Sequence, residues 1–159
     1  MNPKLLLLIF ITLSSTPVLA ELNEAETFDY IKSKLPLLAY NNTEMTSTFE
    51  LNIVNENYCN FNLLEAKVSN DSAITYNNSY KFNLTDIAEI TTYVGDDLNA
   101  ITLDCLSGAD CVVVRQNSTS VKERKSFVEF LGIPTIGAQN KLLNALKHLQ
   151  KLCIENDPF

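Results

Sequence analysis

The chain has 159 residues, of which 46% are hydrophobic and 19% charged, enough apolar content for one packed core and nothing that requires a second domain. Nineteen acids against 12 basic residues give a formal charge of −7. Such a surface repels phosphate backbones and anionic lipid, so neither nucleic acid nor a membrane surface is an expected partner.

Residues 1–20 read as a secretory signal segment. Lys4 supplies the positive start, residues 5–13 are an apolar run interrupted only by Thr12, and Val18-Leu19-Ala20 is a small-residue cleavage site with Pro17 before it. The apolar run is too short to span a bilayer, so cleavage after Ala20 is expected to leave a mature chain from Glu21 with no membrane anchor. Loss of Lys4 takes the formal charge from −7 to −8. Residues 21–46 then form a helix and a connector. Asn23 with Glu26 three positions on is a capping box, Phe28, Ile31 and Leu35 share a helix face, and Pro36 ends the helix at Lys34 or Leu35. The stretch 41–46 is polar and reads as the connector.

From Ser47 the apolar period changes from 3.6 to 2, and residues 47–159 read as an antiparallel β domain closed by a helix. Phe49, Leu51 and Ile53 alternate with polar neighbours up to a turn at Asn55-Glu56-Asn57. Cys59, Phe61 and Leu63 fall on one face of the next strand, but Leu64, Ala66 and Val68 fall on the other. That phase slip predicts a bulge at Leu63 and Leu64. A short strand at 73–76, a turn at Asn77-Asn78 and a strand through Tyr80, Phe82 and Leu84 follow, then a strand at 89–94. Residues 98–106 and 110–116 read as a hairpin around Ser107-Gly108, and 127–131 as the last strand. The stretch Ala138–Cys153 is the clearest amphipathic helix, with Leu142, Leu146, Leu149 and Cys153 on one arc and Asn140, Asn144, Lys147 and Lys151 opposite.

About seven strands followed by a C-terminal helix resemble the pleckstrin-homology-like barrel, and the stretches YKFNLTDIAEI, ITLDC and LLNALKHLQKLC resemble small secreted bacterial proteins of unknown function. The resemblance covers residues 48–153 and implies a helix capping one end of a bent sheet. Family members that bind phosphoinositides carry a basic cluster in the loop between their first two strands. Here that loop is Asn55-Glu56-Asn57, so this activity is not implied. The expected fold is α+β: a bent antiparallel sheet or partly open barrel of about seven strands, capped by the C-terminal helix, with the N-terminal helix as an addition.

Four cysteines in an exported chain point to disulfides. Of the three pairings open to Cys59, Cys105, Cys111 and Cys153, the place of Cys105 and Cys111 at the mouth of the expected hairpin favours joining them. Cys59 is then left for Cys153. The absence of C-x-x-C spacing and the single histidine, His148, argue against zinc. Five N-x-S/T sequons, at Asn41, Asn70, Asn77, Asn83 and Asn117, would take glycans in a host that adds them, and most fall in expected turns. Asp86, Glu89, Asp96, Asp97, Asp104 and Asp110 lack the spacing of a calcium loop and read as a solvated rim. His148 lies at the edge of the helix's polar arc. Ser107, in SGAD, is not in a nucleophile elbow, so no nucleophile, base and orienter can be named. The basic run at residues 121–125 is interrupted by Glu123 and reads as a charged hairpin tip. Phe49, Phe61, Tyr76, Tyr80 and Phe82 read as core beneath the helix.

These features point to a secreted or periplasmic, non-enzymatic binding module of unknown protein partner, without cofactor or metal. The second expectation is a carrier holding a small apolar ligand between sheet and helix.

Overall fold

In the computed structural model, which describes residues 22–35, 40–41, 45–69, 75–94, 99–106, 109–116 and 122–156, Asn23 opens helix α1 (Glu24–Lys34). Its side chain accepts from the Glu26 N–H at 3.0 Å, and the Glu26 carboxylate accepts from the Asn23 N–H at 3.0 Å. This reciprocal capping box satisfies two backbone donors that the first turn leaves unpaired. Phe28, Ile31 and Leu35 then enter the core along one face.

The strands form two antiparallel sheets rather than one, and neither is closed into a barrel. Six strands run in the order β1 (Tyr40–Asn41), β2 (Met45–Val54), β3 (Asn57–Ser69), β4 (Thr75–Asn83), β7 (Val112–Gln116) and β8 (Lys122–Lys125). Three others, β5 (Ile87–Val94), β6 (Asn99–Cys105) and β9 (Phe127–Leu131), make the second sheet with β6 in the middle. A single 3-10 turn, Leu84–Asp86, carries the chain from the first sheet to the second. The fold is therefore α+β with both expected helices, and the expected single bent sheet is split in two.

Several local expectations are corrected. Asn77 and Asn78 are not a turn: they lie inside β4, opposite Ala66 and Glu65 of β3, so two expected short strands are one. The expected connector, 41–46, instead contributes Asn41 to β1 and Met45 and Thr46 to β2, with Tyr40 and Asn41 pairing with Ser47 and Thr46. Segments 98–106 and 110–116 are not a hairpin, because β6 pairs with β5 and β9 whereas β7 pairs with β4 and β8. The chain crosses between sheets there, and Ser107-Gly108 lies outside the described residues. The basic run is not a hairpin tip but β8, an edge strand whose charged side chains discourage further pairing. No bulge occurs at Leu63 and Leu64: the β2–β3 register runs unbroken from Met45↔Ser69 to Ile53↔Phe61. The irregularity comes one step later, at Ile53 and Val54, next to the two-residue turn Asn55–Glu56. Both turn residues have positive φ, 56° and 58°, the geometry that matches strand twist in a tight hairpin.

Helix α2 (Ile136–Glu155) starts at Thr135, whose hydroxyl accepts from the Ala138 N–H at 3.1 Å. Gln139, Leu142, Leu146, Leu149 and Cys153 are its buried residues, spaced three and four apart, which is one helical face. The leucines pack in one core with Ile101, Leu103 and Phe130 of the smaller sheet and Phe61 of β3. Phe28 of α1, Phe61 of β3 and Phe82 of β4 continue that core as edge-to-face rings with centroids 5.6 and 5.4 Å apart. Two amides hold α2 in place. Gln139 donates to the carbonyls of Tyr93 and Ala100 at 2.9 and 2.7 Å, and Gln150 to those of Ile87 and Leu84 at 2.7 and 3.3 Å. Both disulfides pair as expected. Cys59–Cys153 ties β3 to the end of α2, and Cys105–Cys111 bridges the crossover between sheets, with Cα atoms 5.7 and 5.8 Å apart. Bonds of this kind form and persist in an oxidising compartment. No helix among the described residues is long and apolar enough to cross a membrane.

Leu149 is fully buried in α2's contact face. Replacing it by Asp places an unpaired charge in the core and is expected to cost more than about 4 kcal/mol, leaving little folded protein. Circular dichroism melts of the protein check this, and an unchanged melting temperature would show that α2 does not dock.

Candidate functional site

The core-facing side of the larger sheet is spoken for by the helices, so its other side is where a site can open. Strand pleating decides which residues stand there. Residues directly opposite in adjacent strands share a face, and the register gives one row Thr48–Ala66–Asn77 and the next Glu50–Leu64–Ser79–Arg115. A third row runs Asn52–Asn62–Lys81–Val113–Arg124. The first two rows, with Asn62 and Lys81 of the third, line a groove of about 740 Å3, with half-buried Leu64 and Ala66 on its floor and carboxamides and hydroxyls around them; Asn52, Val113 and Arg124 continue the same sheet face beyond it. Its volume lies in the range typical of small-ligand sites. Ser79 donates its hydroxyl to Asn62 Oδ1 at 2.8 Å, which fixes both side chains at the centre of the groove. At the β2 margin, Asn52 donates to the Glu50 carboxylate at 3.1 Å.

Charge is distributed unevenly across this face. Glu50 stands on the β2 side, while Lys81, Arg115 and Arg124 stand on the β4, β7 and β8 side, all exposed and with no ion pair among the described residues. Strand alternation is what assembles the cations. Glu123, which interrupts the basic run in sequence, stands opposite buried Val114 and so points to the other face, whereas Arg124 stands opposite Val113 on the groove face.

Beneath the first row, on the core side, Glu65 is 4% exposed. Its carboxylate accepts from the Tyr80 hydroxyl at 2.8 Å and from the Asn78 amide at 3.0 Å, and the Lys67 ammonium lies 3.1 Å from its other oxygen. A buried carboxylate is tolerated only when paired in this way. Burial first, then the hydrogen bond to Glu65 and the negative charge of Glu65, hold the Tyr80 phenol above its ordinary value, with Glu129 adding to the rise and Asn78 opposing it. Tyr80 therefore stays a proton donor to Glu65. Neither residue stands out as polar machinery in the sequence. The only signal is an acid at a strand position where the alternation calls for an apolar side chain.

The residues singled out in the sequence are dispersed. Among the sequons, Asn41 is in β1 and Asn77 and Asn83 are in β4, not in turns, while Asn70 and Asn117 lie outside the described residues. Asn77 is exposed on the groove face. Asn83 Oδ1 accepts from the Thr85 N–H and hydroxyl at 2.9 and 3.0 Å, capping the 3-10 turn. Asp86, Glu89 and Asp110 are exposed and Asp104 half-buried; Asp96 and Asp97 are outside the described residues. No group among the described residues is arranged to hold a metal ion. His148 is half-buried, with Nε2 2.7 Å from the Leu22 carbonyl, where it joins α2 to the start of α1. Phe49, Phe61 and Phe82 are core as expected, Tyr80 is the donor to Glu65, and the Tyr76 side chain is outside the described residues. No protein-family model, curated protein or solved structure matches the chain.

Because the folded protein keeps Tyr80 protonated where an unfolded tyrosine ionises, the contribution is fully present below pH about 10 and is lost as pH rises above that value. Tyr80→Phe is expected to flatten this alkaline loss and, by depriving buried Glu65 of a donor, to cost about 1–3 kcal/mol at neutral pH. Denaturant titrations of both chains at neutral pH and about one unit above the ordinary tyrosine value decide it. Equal stability of the two chains at neutral pH would show that the hydroxyl carries no weight.

Proposed function

We propose that this chain is a secreted or periplasmic, non-enzymatic binding module that takes its ligand on the outer face of the six-stranded sheet. The observation that carries the reading is the groove itself. It lies on the sheet face turned away from both helices, its floor is apolar, and its walls are donor and acceptor side chains fixed by pairing in the middle of a sheet. A rigid sheet face positions such groups better than loops do. The leading segment with its cleavage site and the two disulfides support the location outside the cytoplasm.

A non-enzymatic role is supported by the partners of the groove's hydroxyl groups. The Ser79 hydroxyl donates to a carboxamide oxygen, which is not a general base, and His148 is engaged at the start of α1 on the helical side. The likeness to the pleckstrin-homology-like barrel lends nothing to the ligand, since the loop between β2 and β3 is the two-residue turn Asn55–Glu56. A carrier of a small apolar ligand between sheet and helix is the second reading. It is less favoured because Leu142, Leu146 and Leu149 are at most 2% exposed and packed among Phe61, Ile101, Leu103 and Phe130.

The two readings separate in one experiment. The isotope-labelled mature chain is titrated with mixed oligosaccharides, short peptides and fatty acids while amide and methyl resonances are followed. Groove binding predicts shifts centred on Leu64, Ala66 and Ser79. Shifts confined to Leu142, Leu146 and Phe130 on addition of fatty acid would replace this reading with the carrier.

A further inference from the structure

We infer that the groove takes a short acidic oligosaccharide, with its carboxylate or sulfate groups held by Lys81, Arg115 and Arg124 and its hydroxyls by Asn62, Ser79 and Thr48. This rests on the groove reading above and names the ligand class.

The charge argument comes first. On a protein of formal charge −7, three exposed cations stand together on one sheet face with no ion pair among the described residues. Val113 separates Lys81 from Arg124 across two strand spacings, about 10 Å, and Arg115 follows Val113 by two residues, about 7 Å along β7. Glu50 sits three strands away from Arg115 in the same row, about 14 Å. The groove thus has a cationic margin and an acidic far side, which favours a ligand that is anionic over part of its length. The overall negative charge repels a long polyanion, so a short ligand is the one that fits.

The polar groups between those margins decide the rest. Beneath the centre of the groove β3 and β4 are paired on both sides, so their backbone donors and acceptors are used within the sheet, whereas β2 meets β1 only at Thr46 and Ser47 among the described residues. An extended acidic peptide brings an N–H and a C=O at every residue and is matched by an unpaired strand edge, which the centre of the groove over β3 and β4 does not offer. Sugar hydroxyls each donate and accept, as do the carboxamides and hydroxyls that line the groove. Leu64 and Ala66 offer a shallow apolar floor for the C–H face of a ring. The groove lining includes no aromatic side chain on the outward rows for a base to stack on, which sets nucleic acid apart.

Four probes test the assignment on the mature chain: a tetragalacturonate, a sulfated tetrasaccharide, neutral cellotetraose and hexaglutamate, each followed by calorimetry and by resonance shifts. The expected result is that the acidic saccharides bind at least about tenfold more tightly than cellotetraose at low salt, that added salt erodes the difference, and that all saccharide shifts centre on Leu64, Ala66 and Ser79. Comparing the first two probes tells carboxylate from sulfate. Lys81→Ala with Arg115→Ala, both at exposed positions, is expected to bring the acidic saccharides to the neutral level while leaving the melting temperature within a few degrees. Should the pair unfold the chain, Arg124→Glu alone is expected to reduce acidic-saccharide affinity in the folded protein. Equal binding of cellotetraose in the groove would overturn the acidic assignment and leave the groove reading standing. Hexaglutamate binding as tightly as tetragalacturonate would overturn the saccharide assignment in favour of a peptide. No groove shift with any probe would overturn the inference outright, whatever ligand a wider screen then finds there.

Discussion

Glu65 is the constraint on which the arrangement of the larger sheet turns. Its carboxylate sits at a core-facing position of β3 and is satisfied by Tyr80 and Asn78 of β4 and by Lys67. Sliding β3 by one residue would turn that carboxylate outward and send Leu64 and Ala66 into the core, so the hydrogen bonds to β4 help fix a register that apolar packing alone leaves open. With the register fixed, Phe61 and Leu63 meet the helices, and Leu64 and Ala66 become the floor of the groove. Core and candidate site are two faces of one pleat.

The helices complete this division of labour. α2 lays its leucines across the smaller sheet and β3, its two glutamines bind carbonyls around β5 and β6, and Cys59–Cys153 fastens its last turn to β3. α1 is held against it through the His148 contact with the Leu22 carbonyl and the hydrogen bond from Asn156 to the Glu24 carboxylate at 2.7 Å. All of this covering lies on one side. A long-range disulfide constrains the unfolded chain by about 4 to 5 kcal/mol in the chain-entropy picture, so the staple allows the opposite face to carry polar and charged groups that add little to stability.

Much of this was legible in the residues, and the exceptions have physical causes. The capping box at Asn23 and Glu26, the 3.6-residue period of α2 and the oxidising setting of four cysteines are local signals, and they located both helices and both disulfides. At Glu65 a satisfied buried acid interrupts the apolar alternation just as a bulge does. Asn77-Asn78 has turn composition, but pairing with Ala66 and Glu65 outweighs it. Cys105 and Cys111 are joined, but not across a hairpin. Their six-residue separation fits a hairpin mouth and a sheet-to-sheet crossover equally well, and only the pairing of β6 with β9 separates the two. The groove was least legible, since Leu64, Ser79, Lys81, Arg115 and Arg124 come from four strands and meet only through register. The basic run held a readable clue: as a strand, its period of two sets Glu123 apart from Arg124.

The central claim is that β3 runs without a bulge through Glu65, so that Leu63 faces the core and Leu64 the solvent-lined groove. Relaxation of methyl resonances by a soluble paramagnetic agent measures this directly. The structure predicts strong relaxation of the Leu64 and Ala66 methyls and protection of those of Leu63 and Leu51. Protection of Leu64 together with Leu63 would contradict it and restore the bulge.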